Sequence, residues 1–296
     1  MYKRVFEALH SRRMLNWISD KAFLKMAFYC RMNKKLNLRR PQSFNEKLQW
    51  LKLYERRPEY SMMVDKYAVR KYIADQLGEE YLIPLIGVWD SADEIDFNEL
   101  PNSFVLKCNH NSGLGMFICK DKLALNEDVK KRIRVNLNKG LKQNYYLTGR
   151  EWPYKNVKPR IIGEQYMDSD GDDLPDYKIH CFNGIPRFIL VCRNRFGNVE
   201  MTEDFFDTDW NHLDIKRPEH PNSTTKIERP EVLKELLDLS KKLSSGIPFL
   251  RVDFYVVNGR IFFGELTFFP ASGFDIFEPE EWDSIIGNWL ELPVKI

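Results

Sequence analysis

No stretch of this chain runs apolar for the roughly eighteen residues that a membrane-spanning helix needs. Its start, MYKRVFEALHSRRMLNW, also lacks the uninterrupted apolar core of a secretion signal. These two absences make a soluble, cytoplasmic protein the expectation. Cysteine is scarce and scattered: Cys30, Cys108, Cys119, Cys181 and Cys192 are odd in number and never pair with histidine at zinc-site spacing, so they read as reduced, buried thiols. There is no internal repeat, no low-complexity tract and no Gly-Lys-Ser/Thr ending of a Walker loop. Excess charge of one sign is missing as well, with 45 Lys and Arg against 43 Asp and Glu. Hydrophobic residues at 43% and charged residues at 30% exclude a disordered chain, and 296 residues fit one sizeable α/β unit or two to three lobes.

Charge is unevenly placed. Residues 1–60 hold fifteen Lys and Arg against five Asp and Glu. Two readings stand for this basic end: contact with an anionic surface such as the inner face of the cell membrane, or a solvated face on helices whose Leu15, Ile18, Leu24 and Phe28 pack inward. Apolar spacing is helical from about Tyr2 to Tyr54, and Ser43 with Glu46 forms a capping-box pattern. MVDKYAVRKYIADQLGEE predicts another helix ending near Gly78, and YLIPLIGVWD a short extended run. SFVLKCNHNSGLGMFICKDK predicts strand, glycine-containing turn, strand; residues 127–150 are helical and basic. PRIIGEQYM reads as a strand, DSDGDD as a loop, DYKIHCFNGIPRFILVCRNR as two strands around Asn183-Gly184, and RPEVLKELLDLSKKLS as an amphipathic helix. Interleaved strands and helices give α+β or α/β.

RVDFYVVNGRIFFGELTFFPASG, residues 251–273, reads as two apolar strands around Asn258-Gly259, yet holds Arg251, Asp253 and Glu265. Alternation puts Arg251 beside Asp253 and Glu265 beside Thr267. A strict two-residue turn would send Asp253 and Glu265 to opposite faces, so uniting them requires a bulge or an odd-length loop. Converging carboxylates need a cation; one arginine against two acids is incomplete, and hard oxygen donors with room for phosphate suit magnesium carried by a nucleotide. Lys107 closes the strand FVLK before CNHNSGLG, whose backbone amides and lysine suit phosphate.

This ordered set, from RRPQSFNEKLQWLKLY through DKYAVRKYI, FVLKCNHNSG, IIGEQYM and DYKIHCFNG to RVDFYVVNGRIFFGELTF, resembles the ATP-grasp superfamily and, within it, the teichuronopeptide-type (TupA-like) family of bacterial polysaccharide gene clusters. The resemblance implies an α+β ATP-grasp fold, two lobes clamping a nucleotide behind an N-terminal helical segment. Its divisions would be a basic segment 1–60, a pre-ATP-grasp region 61–102, a lid subdomain 103–162 and a core 163–296. It implies ATP and Mg²⁺ as ligands. Lys66 and Lys107 would hold phosphates, and Asn109 to Gly115, with Asn109, Ser112, Gly113 and Gly115, would form the lid loop. Glu164, Gln165, Tyr166 and Met167 would form the adenine hinge, with backbone groups of Gln165 and Met167 on the ring edge. Asp176 would sit by the ribose or phosphates and Lys178 by the γ-phosphate, with Arg193 or Arg195 as a further phosphate arginine. Asp253, Glu265 and Thr267 would be the metal ligands, and Arg251 would stabilise an oxyanion. Relatives generally carry asparagine where this chain has Thr267.

The activity implied is carboxylate–amine ligation through an acylphosphate, with a carboxylate-bearing sugar or glycan and an amine or amino acid as substrates and no nucleic acid partner. Rival readings are a glycosyltransferase or ATP-grasp kinase of polysaccharide biosynthesis, and a nucleotide-binding scaffold without catalysis.

Overall fold

The computed structural model describes residues 2–168, 174–195 and 199–294. The acidic loop read at 168–173 therefore lies, apart from Asp168, outside the described residues. Helices α1 (Tyr2–Ser11) and α2 (Asp20–Met32) bury Phe6, Phe23, Leu24, Ala27 and Phe28 in a small core of their own. Helix α3 (Phe44–Tyr54) starts at the expected capping box: Ser43 Oγ accepts the Glu46 N–H (3.3 Å), and Glu46 Oε2 accepts the Ser43 N–H (3.4 Å).

The single helix expected from 63 to about 78 is two helices, α4 (Glu59–Val64) and α5 (Val69–Gln76). Asp65 makes the break. Its Oδ1 accepts the N–H groups of Tyr67 (2.9 Å) and Ala68 (3.2 Å), local bonding that competes with helix continuation. Lys66 is thereby set in the break, between two helices rather than along one.

A four-stranded antiparallel sheet follows, from β1 (Leu85–Trp89), β2 (Phe104–Cys108), β3 (Met116–Cys119) and β4 (Ile161–Gln165) in the order β1-β4-β2-β3. Between β3 and β4, α6 (Glu127–Leu141) packs Ile133 and Leu137 on Phe104, Leu106 and Ile161, and the short α7 (Tyr146–Gly149) leads away. The boundaries expected at 102/103 and 162/163 cut through this sheet, because β1 precedes the first and β4 spans the second. Hydrogen bonding, not chain position, sets the lobe.

The second sheet is antiparallel too, with order β7-β6-β5-β8-β9: β5 (Asp176–Phe182), β6 (Ile185–Arg193), β7 (Thr202–Asp207), β8 (Phe249–Val257) and β9 (Arg260–Thr267). Helix α8 (Leu233–Leu243) covers one face, where Cys181 Sγ meets Ser240 O at 3.8 Å and Ile179 and Val252 join the main core. Alternation turns Asp176, Lys178, Arg251, Asp253, Glu265 and Thr267 to the other face. Helix α9 (Trp282–Trp289) packs on α3.

The last hairpin has the strict two-residue turn, with Asn258 (φ 50°) and Gly259 (φ 73°) joining Val257 to Arg260. Asp253 and Glu265 nonetheless stand directly opposite each other on one face, because the register shifts between Asp253 and Phe254 and Gly264 is the extra residue. A Cβ at Gly264 would lie 3.1 Å from the Asp253 carbonyl oxygen and 3.3 Å from the Tyr255 ring. Gly264→Ala should therefore destabilise the chain by about 1–3 kcal/mol through overpacking against backbone. A lowered urea midpoint at unchanged m-value checks it; an unchanged midpoint would mean the strand absorbs the methyl.

Candidate functional site

Two adjoining cavities lie between the sheets. The larger, about 300 Å³, is lined by Ile83, Val105, Met116, Ile118, Leu174 and Tyr255, with Glu164, Gln165, Tyr166 and Met167 along one edge. The smaller, about 140 Å³, is lined by Lys66, Lys107, Asn111, Ser112, Gly113, Asp176, Lys178, Arg195, Asp253 and Glu265. They share Lys107, Met116, Arg195 and Tyr255, so one cleft runs from an apolar chamber into a charged one. A flat aromatic base fits the first and a polyanion the second.

The charged chamber is a chain of ion pairs. Lys178 Nζ donates to Asp176 Oδ2 and to Asp253 Oδ2, both at 2.6 Å. Arg251 grips Asp253 with Nε to Oδ1 and NH2 to Oδ2, both at 2.7 Å, and its NH2 also reaches Glu265 Oε1 (3.3 Å) and Thr267 Oγ1 (3.1 Å). Lys66 Nζ lies 3.3 Å from Glu265 Oε2 and donates to Asn111 O at 2.8 Å. Arg195 pairs with Asp176. Lys107 pairs with Glu164 at 2.6 Å, and Arg70 holds the other Glu164 oxygen at 3.4 Å while donating to Ile83 O at 2.8 Å.

This corrects the sequence reading on one point. The two hairpin acids do not depend on a metal to coexist, because Arg251, Lys178 and Lys66 compensate them. Two of those partners lie far away in sequence, so Arg251 alone looked insufficient. Burial works against the charged Lys178 amine, yet Asp176 and Asp253 outweigh it and push its pKa up. Burial likewise favours the neutral Glu265 acid, but Lys66, Arg251 and Lys178 together hold its carboxyl well below the usual carboxylate range.

The sign for stability follows from that depression. Glu265 contributes fully above the unfolded glutamate pKa of about 4.3, and its contribution fades as pH falls from there through the lower folded value. Glu265→Gln should therefore lose stability relative to the parent at neutral pH, with the gap narrowing below about pH 4. Parallel urea titrations check this; a constant gap would remove Glu265 from the network.

The donor set also fits magnesium. Asp253 Oδ1 has Arg251 Nε as its partner and Glu265 Oε2 has Lys66, leaving lone pairs on both carboxylates, and Thr267 Oγ1 sits 3.5 Å from Glu265 Oε1. Asp176 Oδ1 is buried with no hydrogen-bond partner among the described residues, an acceptor suited to a hydroxyl or a metal-bound water. Among the described residues no group of three His, Cys, Asp or Glu is arranged to hold a metal ion by itself.

The other expected residues divide. Lys66, Lys107, Ser112, Gly113, Glu164, Gln165, Tyr166, Met167, Asp176, Lys178, Arg195, Asp253 and Glu265 line the cleft, and Arg251 and Thr267 support it from the same sheet face. Asn109 does not line it: fully buried, it donates to Asp65 Oδ1 (2.7 Å) and Lys158 O (3.0 Å). Gly115 is packing as well, since a Cβ there would lie 2.7 Å from Cys108 Sγ and 3.0 Å from Gly140 Cα. Arg193 pairs with Thr202 and alternates with Cys192, which stands opposite Asp176, so it points to the other sheet face. The left-handed Asn194 (φ 59°) instead carries Arg195 into the cleft. The Gln165 N–H donates to Pro84 O at 3.0 Å, so that hinge donor is already engaged.

Sequence reasoning missed Arg70, Tyr255 and Met116. Tyr255 had a signal, alternating with Arg251 and Asp253 along one strand. Arg70 had none, since its link to Glu164 crosses from α5 to β4.

A family model described as TupA-like ATPgrasp matches residues 46–291. No curated protein matches the chain. Solved structures with a similar fold include D-alanine–D-alanine ligase from Bacillus anthracis complexed with ATP, at 14% identity and TM-score 0.40 over 70% of this chain and 53% of that one. This chain thus spans about half the length of that ligase. The Helicobacter pylori D-Ala-D-Ala ligase matches at 15% identity and TM-score 0.42 over 84% and 70% of the two chains. A RimK domain ATP-grasp protein from Sphaerobacter thermophilus matches at 10% identity and TM-score 0.42 over 80% and 70%.

Proposed function

The chain belongs to the TupA-like ATP-grasp family, and on that premise we propose that it is an ATP-dependent carboxylate–amine ligase working through an acylphosphate. One observation supports this most: an apolar chamber opens between the two sheets into a chamber lined by Lys66, Lys107, Lys178 and Arg195. Adenine suits the first and the triphosphate the second. Magnesium, held by Asp253, Glu265 and Thr267, would supply charge neutralisation at the phosphate oxygens.

A carboxylate resists attack by an amine because its leaving group would be oxide. Phosphorylating it from ATP supplies a good leaving group, and amine attack then forms the C–N bond and releases phosphate. Lys66 and Lys178 meet charge on the transferring phosphoryl group. Arg251 is fixed through Nε and NH2 by Asp253, Glu265 and Thr267, which leaves its NH1 to meet charge on the acyl oxygen without reorganisation. Residues 111–114 border the charged chamber, and Lys66 anchors Asn111 O, so this loop is placed to exclude water from the acylphosphate.

For the substrates, the family resemblance points to a carboxylate-bearing sugar or glycan, free or lipid-linked at the inner membrane face, joined to an amino acid or other amine. The test is ADP release with panels of uronic acids and amino acids. Release that requires both a carboxylate and an amine is expected; sugar-nucleotide turnover without ATP would replace this reading by glycosyl transfer. A second reading, a MgATP-binding protein without turnover, is favoured by the three bonds that tie Asp253 to Arg251 and Lys178 and by Thr267 in the asparagine position. MgATP binding with no ADP release across the panels would select it.

A further inference from the structure

The N-terminal helices carry a surface that the cleft does not use. Tyr2, Val5, Met14 and Trp17 are 72%, 53%, 54% and 85% exposed, all within the first seventeen residues. One such side chain would mean nothing, since isolated exposed apolar residues are ordinary. Trp17 is unusual because the other six tryptophans of the chain are buried or half-buried. The inner sides of α1 and α2 are already satisfied: Phe6, Leu15, Phe23 and Phe28 form their own core, and Arg150 holds Leu15 O at 2.9 Å. The exposed set is therefore not the displaced half of that core.

Charge separates the candidate partners. Interleaved with the apolar side chains are Lys3, Arg4, Arg12, Arg13, Lys21 and Lys25, all exposed and none in an ion pair with a described residue. The acids nearby are taken: Glu7 pairs with Arg31 at 2.9 Å, and Asp20 with Arg56 at 2.9 Å. A purely polyanionic partner would need only the cations, and a second copy of the same surface would bring like charges together. Exposed cations interleaved along residues 2–25 with exposed Trp, Tyr, Met and Val match the interface of an anionic bilayer, where aromatic rings sit at headgroup depth and basic side chains meet lipid phosphate. No helix among the described residues is long and apolar enough to cross a membrane, so the contact is peripheral.

We infer that the α1–α2 surface, with Trp17 and Met14 inserting and Arg12 and Arg13 pairing with headgroups, docks this protein on anionic phospholipid. The inference stands apart from the ligase reading, because it involves neither the cleft nor ATP.

Sedimentation of the full chain with phosphatidylcholine vesicles, and with the same vesicles containing phosphatidylglycerol, tests it. Retention is expected on the anionic vesicles alone, falling as salt rises. Arg12→Glu with Arg13→Glu should weaken it about tenfold or more, and Trp17→Ala should weaken it at every salt concentration. All three positions are exposed, so melting temperatures should match the parent and isolate the surface effect. Three results would overturn the inference: no retention on anionic vesicles, equal retention of the charge-reversed variant, or retention by dextran sulfate but not by vesicles. Self-association abolished by Trp17→Ala would overturn it too, assigning the surface to a second copy.

Discussion

Lys178→Met should destabilise the chain by about 3–5 kcal/mol, the cost of leaving buried charge without its partner. Lys178 is enclosed by Asp176 and Asp253, each 2.6 Å from its amine, and all three side chains are less than a tenth exposed. Methionine fills similar space but leaves two buried carboxylates facing one another, with Arg195 and Arg251 to hold them from the outer sides. The melting temperature should fall by on the order of 10 °C. A variant that melts within a degree or two of the parent would mean that the three groups are bridged by solvent rather than by one another.

Asp253→Asn should have the largest effect on chemistry. The amide keeps the shape of the carboxylate but removes the charge that Arg251 and Lys178 both contact and the anionic oxygen offered to magnesium. ADP formation should drop by about 10²–10³-fold, the range for removing one preorganised electrostatic contact from an active site. Binding should shift in a way that lost stability alone would not produce. With one negative charge gone, the cleft becomes more cationic and holds metal-free ATP relatively better, so the ratio of MgATP to ATP affinity falls. An unchanged ratio would assign Asp253 to the ion-pair network alone.

The sequence showed much of this site because its chemistry lies on elements with a clear period. Alternation placed Arg251 with Asp253 and Glu265 with Thr267, and the parity of the Asn258-Gly259 turn required a bulge, which lies at Gly264. Ser43 and Glu46 announced α3. The unread parts are contacts across the chain. Lys66 reaches Glu265 over 199 positions and Lys178 reaches Asp253 over 75, and neither pairing leaves a local pattern. The edge strand β7 went unread because TEDFFD puts buried acids where alternation predicts apolar residues. Glu203 is held by Arg217, and Asp204 by His212 and the Ser223 amide. Arg193 and Arg195 stood as alternatives, and residue order could not choose between them, because a left-handed Asn194 breaks the alternation and only Arg195 lines the cleft.

Calorimetric titration of MgATP into the parent chain and into a Lys66→Ala, Lys107→Ala double variant tests the central claim most directly. These lysines approach the charged chamber from the break before α5 and from β2, and both border it without forming the Asp176–Lys178–Asp253 cluster. One saturable site in the parent, lost or weakened at least about a hundredfold when both cations are removed, is the predicted result. A parent that gives no binding heat at any temperature tried, or a double variant that binds MgATP as tightly as the parent, would contradict it.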